Sequence, residues 1–349
     1  KIIDETPFVF QRRDIVFRLR LAPLEGRNVI YKLRPTQRGV YGFGHIRVFA
    51  TSPLQLVERR YTCGEPEDVK VYPSYLMLHK YELLAISNRL TEMGGKRVRR
   101  AGNNTEFEHI KEYVIGDNYR SMNWKASARR NQLMVNVYEE ERSQQIVSVI
   151  DKGRAMQQSF KGMTLLDYAI NAALMLSYIA VRKADKAGLV CFNDHTDTFV
   201  APSRRQGQME KLLDALYSQQ SQWYESDFAD MLATVNHQLS KRSLLVVYTS
   251  FDSLHAMERQ LPYLQMLNKR HRVLLVFFID NEKQQFLKTK AHTTEEYYQH
   301  VIVEKMMNEQ HLIISQLRRH GIQSLLTTPQ NLSVDVVNRY LEMKARHTI

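Results

Sequence analysis

Cysteine is nearly missing from this chain: Cys63 and Cys191 are the two in 349 residues. Two thiols so far apart supply neither a disulfide framework nor a zinc-ligand spacing, and they favour a reducing compartment. Cys191 lies inside the apolar run LVCFN, where a buried small hydrophobe is expected rather than a nucleophile. No continuous apolar run of bilayer-spanning length occurs, so no membrane-crossing segment is expected. Also absent are the phosphate-binding GxxxxGK[ST], the dinucleotide-binding GxGxxG, the zinc-binding HExxH and the hydrolase GxSxG. His292 and His300 flank a helix start without an acidic ligand pattern. Nothing nominates a nucleophile or a general base, and the chain reads as non-catalytic. An initiator methionine and a signal peptide are missing too. KIIDETPFVFQRRD starts in strand-like material, so a fragment of a longer protein is expected.

Positive charge is what the chain has in excess. It carries 49 Lys and Arg against 37 Asp and Glu, a net +12, with 44% hydrophobic residues. The apolar content supports globular cores, and the length allows two domains. The charge favours an anionic partner: lipid headgroups, nucleic acid or an acidic protein face.

Periodicity divides the chain in three. Residues 1–75 alternate in short runs broken at Pro23, Gly26, Pro35, Gly39, Pro53 and Gly64, which predicts an antiparallel β-sandwich. Within it, RGVYGFGHIRVFA reads as a hairpin edge. Residues 76–144 open with a leucine-spaced helix over Leu76–Met93, followed by the basic loop GGKRVRRAGNNT from Gly94 to Thr105. That loop lacks the interleaved aromatics of a single-strand binder, which argues against nucleic acid. Residues 145–349 alternate apolar strands with amphipathic helices, predicting a mostly parallel sheet covered on both faces. Chemistry in such sheets sits at the carboxyl ends of strands, here Asp151, Thr249-Ser250, Asp280 and Thr327-Thr328. The fold class is therefore α+β, with an antiparallel β-rich part followed by an α/β Rossmann-like part.

The stretch EFEHIKEYVIGDNYRSMNWKASARRNQLMVNVYEEER, Glu106–Arg142, stands between the two. It crowds Asp117, Arg120, Trp124, Lys125 and Arg129 together. An aromatic beside three cations suits recognition of an anionic group. The competing and preferred reading has Asp117, Arg120 and Arg129 as ion pairs locking the two parts, with Trp124 plugging the seam.

YKLRPTQRGVYGFG, ATSPLQL, VYPS and the Gly116-Asp117-x-x-Arg120-x-x-x-Trp124-Lys125-Ala126-Ser127-Ala128-Arg129 core together resemble the bacterial domain-of-unknown-function 58 family. Two positions depart from its pattern: Lys111 stands for the usual Arg, and Asn123 for the usual Asp. The resemblance implies two N-terminal membrane helices preceding Lys1, a β-rich domain and a C-terminal von Willebrand factor A-like domain. It also implies a MoxR-type AAA+ ATPase as partner, hence a membrane-tethered scaffold at the bacterial inner membrane, its soluble part cytoplasmic. The alternative is a binder of nucleic acid or another anionic surface.

A magnesium-binding von Willebrand factor A domain uses an Asp-x-Ser-x-Ser turn, completed by a Thr and an Asp from later loops. A hard divalent ion wants such oxygen ligands. Here Asp151 matches, but Gly153 and Ala155 replace both hydroxyls. Ser226 stands in for the Thr, and Thr249-Ser250 for the expected Ser-Asp, with Asp252 beyond. Lys152 and Arg154 are expected to offset the charge of Asp151. The resemblance thus points to a degenerate site with no metal and no cofactor. Asp151, Ser226 and Ser250 remain as candidate binding residues, and a capping or salt-bridge role is preferred for Asp151.

Overall fold

Short alternating runs form short antiparallel strands at the start of the chain. In this computed structural model, β1 (Ile2–Asp4) pairs with β2 (Val16–Phe17) and β4 (Ile46–Thr51), and β4 pairs with β5 (Glu58–Cys63). A second sheet holds β3 (Gly39–Phe43) and β6 (Glu67–Val71). The structure describes residues 1–349 apart from 13–14, 23, 53–55, 74–104, 115–118, 141–142, 252, 280–285, 288, 290–292 and 347–349, and apart from the side chains of 105–109 and 137–140. The expected helix Leu76–Met93, nearly all of the basic loop, Asp117, Asp252, Asp280 and His292 lie outside the described residues.

The hairpin expected over RGVYGFGHIRVFA does not form, because β3 and β4 belong to different sheets. Glu5 is the cause. Its carbonyl accepts from the Gly44 amide at 2.9 Å, and its carboxylate accepts from the His45 amide at 3.2 Å. A Cβ on Gly44 would meet the Glu5 side chain at 2.6 Å, so only glycine lets the corner come this close. From this corner β4 runs onto β1, while β3 pairs with β6.

Next come β7 (Thr105–Glu112) and β8 (Met134–Glu140), an antiparallel pair, with the short helix α1 (Trp124–Arg130) between them in sequence. β9 (Gln145–Asp151) then opens the expected α/β sheet. A small hairpin of β10 (Ser159–Phe160) and β11 (Met163–Thr164) leads into α2 (Leu165–Arg182), and β12 (Lys186–Phe192) and β13 (Thr196–Ser203) follow. After them come α3 (Gln208–Leu216), α4 (Phe228–Gln238), β14 (Leu244–Tyr248), α5 (Leu254–Arg270) and β15 (Arg272–Phe278). The chain closes with α6 (Thr294–Arg319), β16 (Gln323–Thr327) and α7 (Leu332–Ala345).

The sheet order is β13-β12-β9-β14-β15-β16, parallel except for the edge strand β13. Alternate residues of each strand feed two cores. Ile146, Ile150, Leu189, Val246 and Tyr248 pack with α2, α3 and α7 on one face, while Val147, Val149, Val190, Leu245 and Val247 pack with α4, α5 and α6 on the other. Fully burying one such side chain contributes about 2 kcal/mol, which is why strands buried on both faces read as unbroken apolar runs. α2 is long and apolar enough to cross a membrane, which scanning for continuous apolar runs missed. Ten and more of its side chains are instead buried against the sheet and α7, so its apolarity serves the core.

Two polar clamps fix this frame. The first joins the N-terminal strands to α2 and α3. Arg38, just before β3, donates from Nε to Asp167 at 2.9 Å and from Nη1 to the carbonyls of Leu216 and Tyr217, both at 3.3 Å, and of Gln219. Tyr72 adds a hydrogen bond to Asp214 at 2.9 Å and an edge contact with Tyr217. The helix C-terminus leaves carbonyls without intrahelical partners, and a guanidinium satisfies several at once.

The second clamp is the fully buried Asp185. It accepts from the Gln144 amide at 3.0 Å, from Lys344 at 2.6 Å and from the Tyr340 hydroxyl. It therefore ties the entry of β9 to the α2–β12 turn and to α7. Removing one member of a buried charged network strands the others. Asp185→Ala is expected to lower stability by about 3–5 kcal/mol, read as a drop in the urea midpoint. An unchanged midpoint would mean that the clamp contributes nothing.

Candidate functional site

β9 and β14 are neighbours, yet the chain leaves β9 toward β12 on one side and β14 toward β15 on the other. The strand order therefore reverses between them. In open α/β sheets the crevice beyond the carboxyl ends at such a switch point is the usual ligand site. Asp151 ends β9 at this point and is 3% exposed.

Three donors converge on its carboxylate. The Gly153 amide reaches Oδ1 at 2.8 Å, the Ser226 hydroxyl donates to the same oxygen, and the Thr249 hydroxyl reaches Oδ2 at 2.6 Å. Burial pushes the Asp151 carboxyl above its usual range, opposed by the hydrogen bonds from Ser226, Thr249 and Gly153. All three partners are uncharged. The carboxylate joins three loops: the turn after β9, the segment before α4 and the end of β14.

Gly153 has a steric role here. A Cβ at this position would lie 2.0 Å from the Ser226 hydroxyl, so Ser226 occupies the room a side chain at 153 needs. Ser226, expected to stand in for a Thr, is found hydrogen-bonded to Asp151. Thr249, rather than Ser250, bonds Asp151, and Ser250 lines the cleft above. Lys152 does not offset the Asp151 charge as expected. It is buried and pairs with Asp197 on β13, because adjacent residues of the extended chain point to opposite sides. Burial pushes the Cys191 thiol up to about 12, so at neutral pH it is the inert core thiol its sequence setting indicates.

A cleft of about 300 Å³ opens over Asp151, with Arg154, Ser226, Ser250, His255 and Arg259 among its walls. Arg259 reaches across to pair with Glu225. Immediately before the lining residue Glu225 in the chain, Trp223 is 80% exposed and Tyr224 57%. Their loop is held at several points. The Gln222 amide donates to the Lys152 carbonyl at 3.1 Å, the Arg154 amide to the Tyr224 carbonyl at 3.0 Å, and the Asp227 amide to the Asn193 carbonyl at 2.6 Å. Asn193, itself buried, donates to the Gln222 side chain at 2.8 Å. Two bulky rings are thus displayed in solvent on an ordered backbone. Sequence reading passed over them, although aromatics inside the polar run QQSQWYESD were the available signal.

The other predicted cluster is not brought to this cleft. Trp124 is 70% exposed and plugs no seam. Asn123 caps α1 by accepting from the Ala126 amide at 3.0 Å, and its side chain donates to Asn136 on β8 at 2.8 Å. Ser127 donates to the Asn123 carbonyl at 2.8 Å and accepts from the Met134 amide at 2.9 Å. Small polar groups, not the indole, seat α1 on β8. Lys125, Arg120 and Arg129 are exposed. The ion pairs expected with Asp117 lie outside the described residues. The contact seen between the N-terminal strands and the α/β part uses Arg38 and Tyr72, which bond Asp167 on α2 and Asp214 on α3.

Asp151→Ala leaves three donors without their acceptor and is expected to cost about 3 kcal/mol in chemical denaturation. Asp151→Asn keeps an acceptor for Gly153 and Ser226, while the Thr249 hydroxyl can turn to accept. A carboxyl raised in the folded state contributes stability that is complete below its unfolded value near 3.8 and is lost as pH rises through the folded value. Asp151→Asn is therefore expected to match or exceed the parent at pH 7, with the difference closing on acidification. Denaturation curves across pH would check this, and strong destabilisation by Asn at neutral pH would contradict it.

Residues 109–304, more than half of the chain, match the family described as Protein of unknown function DUF58. The chain is 28% identical over 124 residues to Uncharacterized protein YeaD of Bacillus subtilis (strain 168), covering 35% of this chain and 30% of that protein. It thus spans under a third of that relative's length. Similar solved structures include the conserved hypothetical protein BatB from Bacteroides thetaiotaomicron, 10% identical with a TM-score of 0.36 over 58% of this chain and 100% of that one. The SpRpn10 VWA domain is 12% identical, with a TM-score of 0.34 over 56% of this chain and 94% of that one. Likenesses of that size add nothing to the geometry described above. The family match is a different matter: the chain belongs to the DUF58 family.

Proposed function

We propose that this chain is a non-catalytic interaction module whose docking face is the carboxyl edge of the α/β sheet, around Trp223, Tyr224 and the Asp151 cleft. The carrying observation is the exposed Trp223-Tyr224 pair on a hydrogen-bonded loop beside that cleft. Exposed tryptophan is costly in water, and ordered aromatics beside a pocket are what protein interfaces use as anchors. Because the loop is already ordered, little conformational entropy is lost on docking.

The module is read as von Willebrand factor A-like. The strand order with one antiparallel edge supports this, as does a buried Asp at the tip of the first sheet strand, met by hydroxyls from two later loops. The N-terminal strands are read as a small β-sandwich held to it through Arg38. Metal plays no part in this reading. Both oxygens of Asp151 already accept from neutral donors of the protein, the Gly153 amide and the Ser226 and Thr249 hydroxyls, which supports a structural role for the carboxylate.

The partner we propose is a MoxR-type AAA+ ATPase, with the protein tethered at the bacterial inner membrane. Purified ATPase is expected to bind the chain equally well with and without EDTA. Trp223→Ala is expected to weaken binding roughly 30-fold, the loss typical of an interface anchor, without shifting the melting temperature. Titration calorimetry would measure both. Binding abolished by EDTA, or unaffected by Trp223→Ala, would sink this assignment.

A further inference from the structure

A second surface carries a separate inference. From Tyr119 to Leu133 the chain holds four cations, Arg120, Lys125, Arg129 and Arg130, and no acidic residue. Tyr119 and Trp124 are each 70% exposed, and Leu133 is 48% exposed. Burying an indole usually contributes more than any other single side chain, so leaving one in water, with a second ring and a leucine of the same segment also exposed, is costly.

The segment is also well ordered. The Asn123 cap, the Ser127 hydroxyl and the Asn123–Asn136 bond fix α1 on β8. The Asn123 amide donates to the Met134 carbonyl at 2.9 Å, and the Tyr113 amide to the Leu133 carbonyl at 2.8 Å. The exposed rings and cations are therefore presented from one braced ledge.

We propose that this ledge is a peripheral contact for an anionic lipid bilayer. Tryptophan and tyrosine rings rest at the headgroup level, where one edge is apolar and the other wet, while lysine and arginine meet lipid phosphates. Charge complementarity selects the occupant. Docking a single acidic protein calls for mixed donors, acceptors and charges that set register. Among the described residues here, four cations against the single exposed acid Glu112, which pairs with Met134 beside Leu133, leave a positive excess around the rings. An excess of one sign encodes little register, and a bilayer surface has none to read. The ledge thus suits a surface with uniform negative charge and an apolar layer a few ångströms below it.

The chain has two tryptophans, so Trp223→Phe leaves Trp124 as the single indole reporter. Vesicles of phosphatidylcholine alone would be compared with phosphatidylcholine mixed with phosphatidylglycerol. The chain is expected to sediment with the mixed vesicles only. Trp124 emission is expected to shift to the blue and to be quenched by brominated lipid. Replacing Lys125 and Arg129 by Gln is expected to lower the partition coefficient about 25-fold, near five-fold for each charge, with circular dichroism unchanged. Trp124→Ala should weaken binding while leaving its salt dependence in place.

No sedimentation with the anionic vesicles, or partition indifferent to these substitutions, would overturn the proposal. If the vesicles leave the chain in solution while a polyglutamate peptide shifts Trp124 emission, the ledge is an acidic-polypeptide site and the lipid assignment is wrong.

Discussion

One buried carboxylate organises the upper edge of this protein. Asp151 sits where the strand order reverses, and its oxygens draw in the turn after β9, the loop before α4 and the end of β14. Those three loops form the floor of the cleft. The aromatic loop is then held against the same turn by backbone hydrogen bonds. Burying a charge is unfavourable unless it is matched by donors, and here the donors are hydroxyls and an amide rather than cations. That choice leaves Arg154 and Arg259 on the cleft wall and directs Lys152 to Asp197.

The same economy of small polar groups recurs elsewhere. Asp185 ties β9 to α7, Arg38 ties the N-terminal strands to α2 and α3, and the Asn123–Ser127 pair seats α1. With the frame held by these clamps and by two apolar cores, both tryptophans are spared from packing. Each is left in solvent, one at the sheet edge and one on the α1 ledge. The long helix α6 shows a related pattern. Only Ile313 and Leu317, near its C-terminus, are buried, so its earlier turns contribute little to the core.

Much of the α/β part was legible from periodicity. Runs such as IVSVI and LLVVY can be buried on both faces only between helical layers, and Asp151 and Ser226 followed from the strand-end rule and the family resemblance. The N-terminal part was less legible. The glycines of RGVYGFGHIRVFA look like a tight hairpin, but the Glu5 contact that diverts the strand comes from 40 residues earlier and leaves no periodic trace. Trp124 misled for a similar reason. Large aromatics are usually buried, and nothing local says that Ser127 and Asn123 would take over the seating of their helix.

The sequence by itself determined which segments become strands and helices of the sheet, because burial on one or two faces imposes a period that one chain must satisfy locally. It also carried the family identity, and the Gly and Ala at positions 153 and 155. Only the tertiary structure decided that Ser226 fills the space Gly153 vacates, that Thr249 rather than Ser250 meets Asp151, that Lys152 pairs with Asp197, and that both tryptophans face water. Each of these depends on atoms brought together from distant parts of the chain. Their distances and their share of solvent are fixed by packing, and packing is a property of the whole fold rather than of any run of residues.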